Sequence, residues 1–346
     1  MTQRTLTSDE ADELFRRLFD YGPVMGPYER RRQQGSYHFG WLQSPEELVL
    51  DYTFTTLPPK EAFFPPRQVL FEFKLTEPPQ FDEQFDDTPF TLVGVHPCDL
   101  RALDQLDAAY GAEPAEACWA ANRARARVIG VDCMPDEYCF CTSLGVNNAR
   151  GSCDLFLTRI ERGYLVEVHT EAGEEMLAHC AHEEPTADDL RDAERWREEK
   201  VERVTASLDA PVEQLADVLE AGGLSEVWHE IAERCYSCGS CNITCPTCFC
   251  FDVKDEFELG LESGARVRTW DSCQLHDFAL VAGGHNFRRL RWQRVRHRWQ
   301  RKFLYLYRKF GTPYCTGCGR CSRACTADIN MVDVSNQLIH HAARKG

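Results

Sequence analysis

The chain has 346 residues, enough for two or three domains each with a core. Its formal net charge of −16 argues against nucleic acid as a partner, because phosphate binding needs a basic surface. Eighteen cysteines, a first segment with no apolar leader and no run approaching the roughly 18 apolar residues of a membrane span together point to the cytoplasm and to metal rather than disulfides.

In chain order, Thr7 and Glu10 form a capping box for a short helix that ends near Gly22 and turns Leu14, Phe15, Leu18 and Phe19 to one side. Residues 37–73 alternate apolar and polar positions between proline breaks, as in YHFGWL, LVLDYTF and QVLFEF, and predict strands of an antiparallel sheet. Two apolar strands follow, each running into a cysteine loop. The first ends at Val95 and continues through Cys98 into a helix with Leu100, Leu103 and Leu106 on one face, closed by Gly111. The second ends at Val131 and delivers Cys133, Cys139 and Cys141. Strand, loop and helix in succession predict an α/β layer with its site at the carboxyl ends of the strands. Cys98, Cys133, Cys139 and Cys141 would make a four-thiolate set for a 4Fe-4S cluster if the two strand ends lie side by side; otherwise they are small buried hydrophobes.

The segment 182–203 turns polar, with a second capping box at Thr186 and Asp189, and reads as a bridge between domains. The expected division is an N-terminal α/β domain over 1–205 and, over 206–346, a two-cluster ferredoxin-like domain carrying a long insert at 246–314. Helical patterns in VEQLADVLEAG and VWHEIAERC lead into that second part.

There the cysteines fall into two runs of C-x2-C-x2-C-x3-C: Cys235, Cys238, Cys241, Cys245 and Cys315, Cys318, Cys321, Cys325. This is the spacing that holds two cubane 4Fe-4S clusters, with three thiolates of a run on one cube and the fourth on its neighbour. Cys235, Cys238, Cys241 and Cys325 are therefore expected on one cluster, and Cys315, Cys318, Cys321 and Cys245 on the other. A pair of zinc sites is the competing reading, but zinc has no use for the third and fourth cysteines of each run. The second run has Thr326 where the first has Pro246, a change that removes no ligand. Cys248, Cys250 and Cys273 form a further trio, for which His285 is the nearest imidazole that could complete a fourth cluster site. Cys118, Cys153 and Cys180 have no partners at useful spacing.

Residues 288–309 carry eight arginines and two lysines without an acid, while Trp292, Val295, Trp299, Phe303 and Leu306 recur at helical spacing. The basic side is either a solvated face, a docking surface for an acidic partner, or a counter-charge to the clusters. Neither G-x-G-x-x-G after a strand nor G-x-x-x-x-G-K-[ST] occurs, so no flavin or nucleotide is expected in this chain.

The segments HPCDLRAL, CFCTSLG, CYSCGSCNITCPTCFCFDV, DSCQLHDFALVAGGHNFR and CTGCGRC together resemble the beta subunit of cytoplasmic sulfhydrogenases, the NADP-linked group of nickel-iron hydrogenases, over about residues 10–335. A related subunit serves anaerobic sulfite reductase. The resemblance implies an iron-sulfur subunit that relays electrons within a hetero-oligomeric oxidoreductase. Its implied partners are a nickel-iron large subunit, a small iron-sulfur subunit and an FAD/NAD(P)-binding gamma subunit. It implies no general acid, base or nucleophile here, the catalytic centre lying in the partners. Two other readings stay open: a sulfite or polysulfide reductase subunit working at an incompletely ligated cluster near Cys248, Cys250 and Cys273, and a zinc-held assembly module.

Overall fold

A computed structural model describes residues 2–30, 34–222 and 225–345. In chain order the strands are β1 (Thr2–Thr7), β2 (Val24–Glu29), β3 (Tyr37–Trp41), β4 (Arg67–Lys74), β5 (Gln80–Glu83), β6 (Phe90–Val95), β7 (Ala126–Val131), β8 (Leu155–Ile160), β9 (Gly163–Val168), β10 (Phe251–Phe257) and β11 (Ser263–Trp270). Seven of them form one sheet in the order β1-β9-β8-β7-β6-β2-β3. Its centre is parallel, β2 with β6, β6 with β7 and β7 with β8, and its edges are antiparallel. The chemistry of the residues explains the arrangement: β6 is buried along its whole length, as a central strand covered on both faces must be.

Pro97 starts the helix Pro97–Tyr110, where its missing N–H costs nothing. Leu100, Leu103 and Leu106 are buried and Gly111 caps the end, as the periodicity predicts. The first helix, Ser8–Leu18, carries the expected capping box but stops at Leu18, with Phe19 as its C-cap.

Two expectations fail. The stretch LVLDYTF is not a strand. It passes as irregular chain over β2 and β6, where the absent side chains of Gly26 and Gly94 leave room for Leu48 and Leu50, and the Tyr52 hydroxyl donates to the Gly94 carbonyl at 2.6 Å. Nor is the polar helix Ala187–Arg203 a bridge. It packs against β8 and β9, buries Ala193 and Lys200, and fastens itself by an Arg197–Glu167 ion pair of 2.9 Å and by Lys200 to Asp132.

The strands β10, β11, β4 and β5 make a second, antiparallel sheet in that order. The insert's hairpin thus pairs with a strand from the first quarter of the chain, Ser263 opposite Lys74 through to Thr269 opposite Arg67. This separates β4 from β3, which the alternation had placed in one sheet. A separate core gathers the helices Val212–Ala221, Ser225–Arg234, Arg291–Gln300 and Met331–Lys345 around Trp228, Trp299, Phe303 and Leu338.

Candidate iron-sulfur centres

The two cysteine runs adopt the same local shape. In each, a glycine in the left-handed region, Gly239 at φ 83° and Gly319 at φ 69°, caps a single helical turn, Ser240–Ile243 or Arg320–Arg323. The turns aim the third and fourth cysteines of each run in different directions. Cys325 leaves its own run to line a cavity with Cys235, Cys238 and Cys241, closed by Arg298, Trp299 and Ile329. Two backbone N–H groups already face these sulfurs, Ser237 to Cys235 Sγ and Ile329 to Cys325 Sγ, both at 3.4 Å. On the other side, Cys245 lies near enough to Cys315 and Cys318 to raise both thiols.

Burial pushes the thiols of Cys241 and Cys315 up to about 12 and that of Cys318 to about 11. Four buried thiolates need positive charge beside them, and the helix Arg291–Gln300 with its continuation supplies it. Arg298 and Lys302 lie one turn apart, both buried. Arg298 faces Cys241, Cys321, Cys248 and Cys245, and these sulfurs hold it charged despite its burial. Its Nε and Nη2 find no partner among the protein atoms. Lys302 Nζ lies 3.1 Å from Cys245 Sγ and donates to Thr247 Oγ1 and the Tyr314 carbonyl, both at 2.9 Å. Orphaned buried donors pointing at ringed thiols fit an anionic, sulfide-rich group. Among the described residues no group of three or more Cys, His, Asp or Glu is arranged to hold a single metal ion.

The ends of β6 and β7 do lie side by side. Cys133 acts on the thiols of Cys98 and Cys139, Cys141 acts on those of Cys133 and Cys139, and burial pushes the Cys133 thiol to about 12. This set abuts the second run. Phe140 N–H donates to the Gly317 carbonyl at 2.9 Å, and a Cβ on Gly317 would stand 2.5 Å from the Cys141 nitrogen. One on Gly319 would stand 2.6 Å from Tyr138 Cβ. Asp99, beside Cys98, takes a buried two-pronged ion pair from Arg320, the residue before Cys321, at 2.6 and 2.7 Å.

Cys248, Cys250 and Cys273 also meet, all buried. The Asn242 amide donates to Cys248 Sγ at 3.4 Å and to Cys273 Sγ at 3.3 Å. The Cys250 thiol, then the Gln274 and Asn242 amides, bring the Cys273 thiol down to about 6. A hydrogen bond from the Cys248 thiol, with Lys302 and Lys60 beyond it, holds Cys245 well below the usual thiol range. His285 does not join the trio: it is exposed, with its ring edge-on to Phe287 at 4.7 Å. Its loop turns back on itself through the Val281–His285 backbone bond.

Residues 234–329 match the 4Fe-4S dicluster domain family. Over 335 residues the chain is 39% identical to sulfhydrogenase 2 subunit beta of Pyrococcus furiosus, an overlap covering 96% of this chain and 97% of that relative. The chain belongs to the sulfhydrogenase beta-subunit family. No solved structure matches it. As a member of that family with a 4Fe-4S dicluster domain it is an iron-sulfur subunit. No helix among its described residues is long and apolar enough to cross a membrane.

The counter-charge reading of residues 288–309 covers Arg298 and Lys302, but sequence reasoning missed the buried cations outside that segment, Lys60, Lys200 and Arg320. Lys60 donates to the carbonyls of Cys245 at 2.9 Å and Cys248 at 2.5 Å, and Lys200, Arg298, Lys302 and Arg320 each stand beside a cysteine set. Only Arg294, Arg298 and Lys302 left a signal, an i, i+4, i+8 row flanking the apolar stripe of the basic helix.

Proposed function

We propose that this chain is a relay in which a third 4Fe-4S cluster, held by Cys98, Cys133, Cys139 and Cys141, feeds the ferredoxin pair. That pair is held by Cys315, Cys318, Cys321 and Cys245 and by Cys235, Cys238, Cys241 and Cys325. The observation that carries this reading is the direct packing of the 138–141 loop on the second run through Gly317 and Gly319. A 4Fe-4S cube supplies a one-electron couple. The chain's own residues hold the thiolates, exclude water from them and balance their charge through Arg298, Lys302, Arg320 and Lys200. Its place is in a cytoplasmic hetero-oligomer with a nickel-iron large subunit, a small iron-sulfur subunit and an FAD/NAD(P)-binding gamma subunit. The organisation is an α/β part over 1–205 and a two-cluster part over 206–346, and the two-electron chemistry lies in the partners. The trio Cys248, Cys250 and Cys273 is a fourth site in the same reading.

Iron and acid-labile sulfide per chain, on protein purified without oxygen, test it. About twelve irons are expected from three cubes and about sixteen if the trio is loaded, and Cys133→Ser should remove about four. About eight, unchanged in the Cys133→Ser variant, would limit the relay to the ferredoxin pair. Zinc without sulfide would overturn it.

A second reading is favoured by one feature: His285 is exposed while Cys248, Cys250 and Cys273 are buried, so that imidazole does not complete the trio. An open iron there would reduce sulfite or polysulfide. The isolated chain should then turn over one of them with reduced viologen, and failure with intact clusters rules this out.

A further inference from the structure

The ferredoxin set nearest the surface is the one containing Cys238, the only exposed cysteine of the eighteen. Cys238 is bordered by Tyr236, 70% exposed, and by a loop that the core does not use. Between 275 and 290 this loop presents Leu275, Leu280, Val281, Phe287 and Leu290 to solvent, Phe287 at 64%. Among them it carries Arg288 and Arg289, followed by Arg291, against the single acid Asp277. A net-positive apolar collar on a chain of net charge −16 is a local reversal of sign.

The collar is fixed to the cysteine loop rather than merely near it. Buried Arg294 donates from Nη1 to the carbonyls of Arg288 at 3.1 Å and Arg289 at 2.7 Å, from Nε to the Gln274 carbonyl at 2.9 Å, and from Nη2 to Ser237 Oγ at 3.2 Å. One guanidinium thus ties both ends of the loop to the residue beside Cys238. Leu275 reaches the same place, its Cδ2 3.6 Å from where a Cβ on Gly239 would be. Such an investment of a buried charge holds an otherwise coreless apolar segment rigid around the most exposed ligand position.

We propose that the collar formed by Tyr236 and residues 275–291 is the docking surface at which this chain exchanges electrons with a redox protein of acidic surface, through the set containing Cys238. Complementary charge steers such a partner and the apolar residues exclude water at the contact. This rests on the relay reading above. A second apolar prominence, Leu259 and Leu261 at the tip of the β10–β11 hairpin, carries Glu258 and Glu262 instead and stands the length of β10 away from Cys250.

The test uses the full chain with its clusters intact and an acidic flavodoxin hydroquinone as donor, followed by stopped flow, with flavodoxin affinity measured separately by calorimetry. Arg289→Glu with Arg291→Glu, and separately Phe287→Ser, should slow the second-order rate by about tenfold or more and weaken binding, the charge variant also losing its salt dependence. A small neutral one-electron donor should reduce the same variants at the wild-type rate. Leu259→Ser with Leu261→Ser should change nothing. Variants of the collar that react with flavodoxin as fast as wild type, or a hairpin-tip variant that is the slow one, would overturn the assignment. Protein without iron and sulfide would overturn the relay reading and this one with it, and the metal content of the same preparation separates the two failures.

Discussion

Arg298 and Lys302 are adjacent to Trp299 and Phe303 in the chain but do a different job: the aromatic pair fills the core while the cations lie against thiols. Reduction of a cluster adds negative charge, so a nearby buried cation favours the reduced state and its removal must lower the midpoint potential. At about 8 Å and an effective dielectric of about 20, a unit charge contributes about 2 kcal/mol. For a one-electron couple at 59 mV per tenfold this is on the order of 90 mV. Arg298→Gln should therefore shift potentials in both ferredoxin sets downward, since Arg298 faces Cys241 of one and Cys245 of the other. Of the two ferredoxin sets, Lys302→Met should act only on the one with Cys245 and Cys315. A redox titration followed by electron paramagnetic resonance reads both, and unchanged potentials with full iron would rule out the counter-charge role.

At the scale of elements, the junction between the 138–141 loop and the second run depends on two glycines with positive φ, Gly317 at 68° and Gly319 at 69°. Gly317→Ala would add both left-handed strain, about 1–2 kcal/mol, and a collision with the Cys141 backbone at 2.5 Å. Gly145→Ala, at φ 64° with nothing within 4 Å, would add the strain alone. The first variant is expected to lose about four irons and the second to keep them, both read by iron assay after anaerobic purification. That junction shows what was legible in the chain. Both runs, the strands ending at Val95 and Val131 and their cysteines could be read because spacing and periodicity are local. The pairing of β4 with β11 could not, because the partners are nearly two hundred residues apart and neither run of side chains names the other. The helix Ala187–Arg203 was misread for the same reason: Lys200 looks like one more solvated charge until Asp132, far back in the chain, is found beside it.

Over the whole molecule, contacts that cross residue 205 are numerous and buried. Arg320 grips Asp99, Lys60 caps the carbonyls after the first run, Gln105 and Tyr314 exchange bonds with the opposite main chain at 2.7 and 2.8 Å, and β11 completes its sheet only with β4. The ferredoxin part is thus shaped against the α/β part. Breaking the Asp99–Arg320 pair by Asp99→Asn leaves a guanidinium buried beside Cys98 and Cys318 without its counter-charge and with one acceptor fewer, at a cost of about 3–5 kcal/mol when a buried pair loses one member. That is a large share of the roughly 5–15 kcal/mol that holds an ordinary domain together. The expected outcome is a lowered urea midpoint in the iron-loaded protein. A fragment beginning at 206 should fare worse, since it exposes the unpaired edge of β11 and the face of Gly317 and Gly319 together. Expressed alone, it is expected to aggregate and to retain few clusters. If it instead gave a soluble protein with about eight irons, the α/β part would be an attachment to an independent ferredoxin fold rather than part of what shapes it.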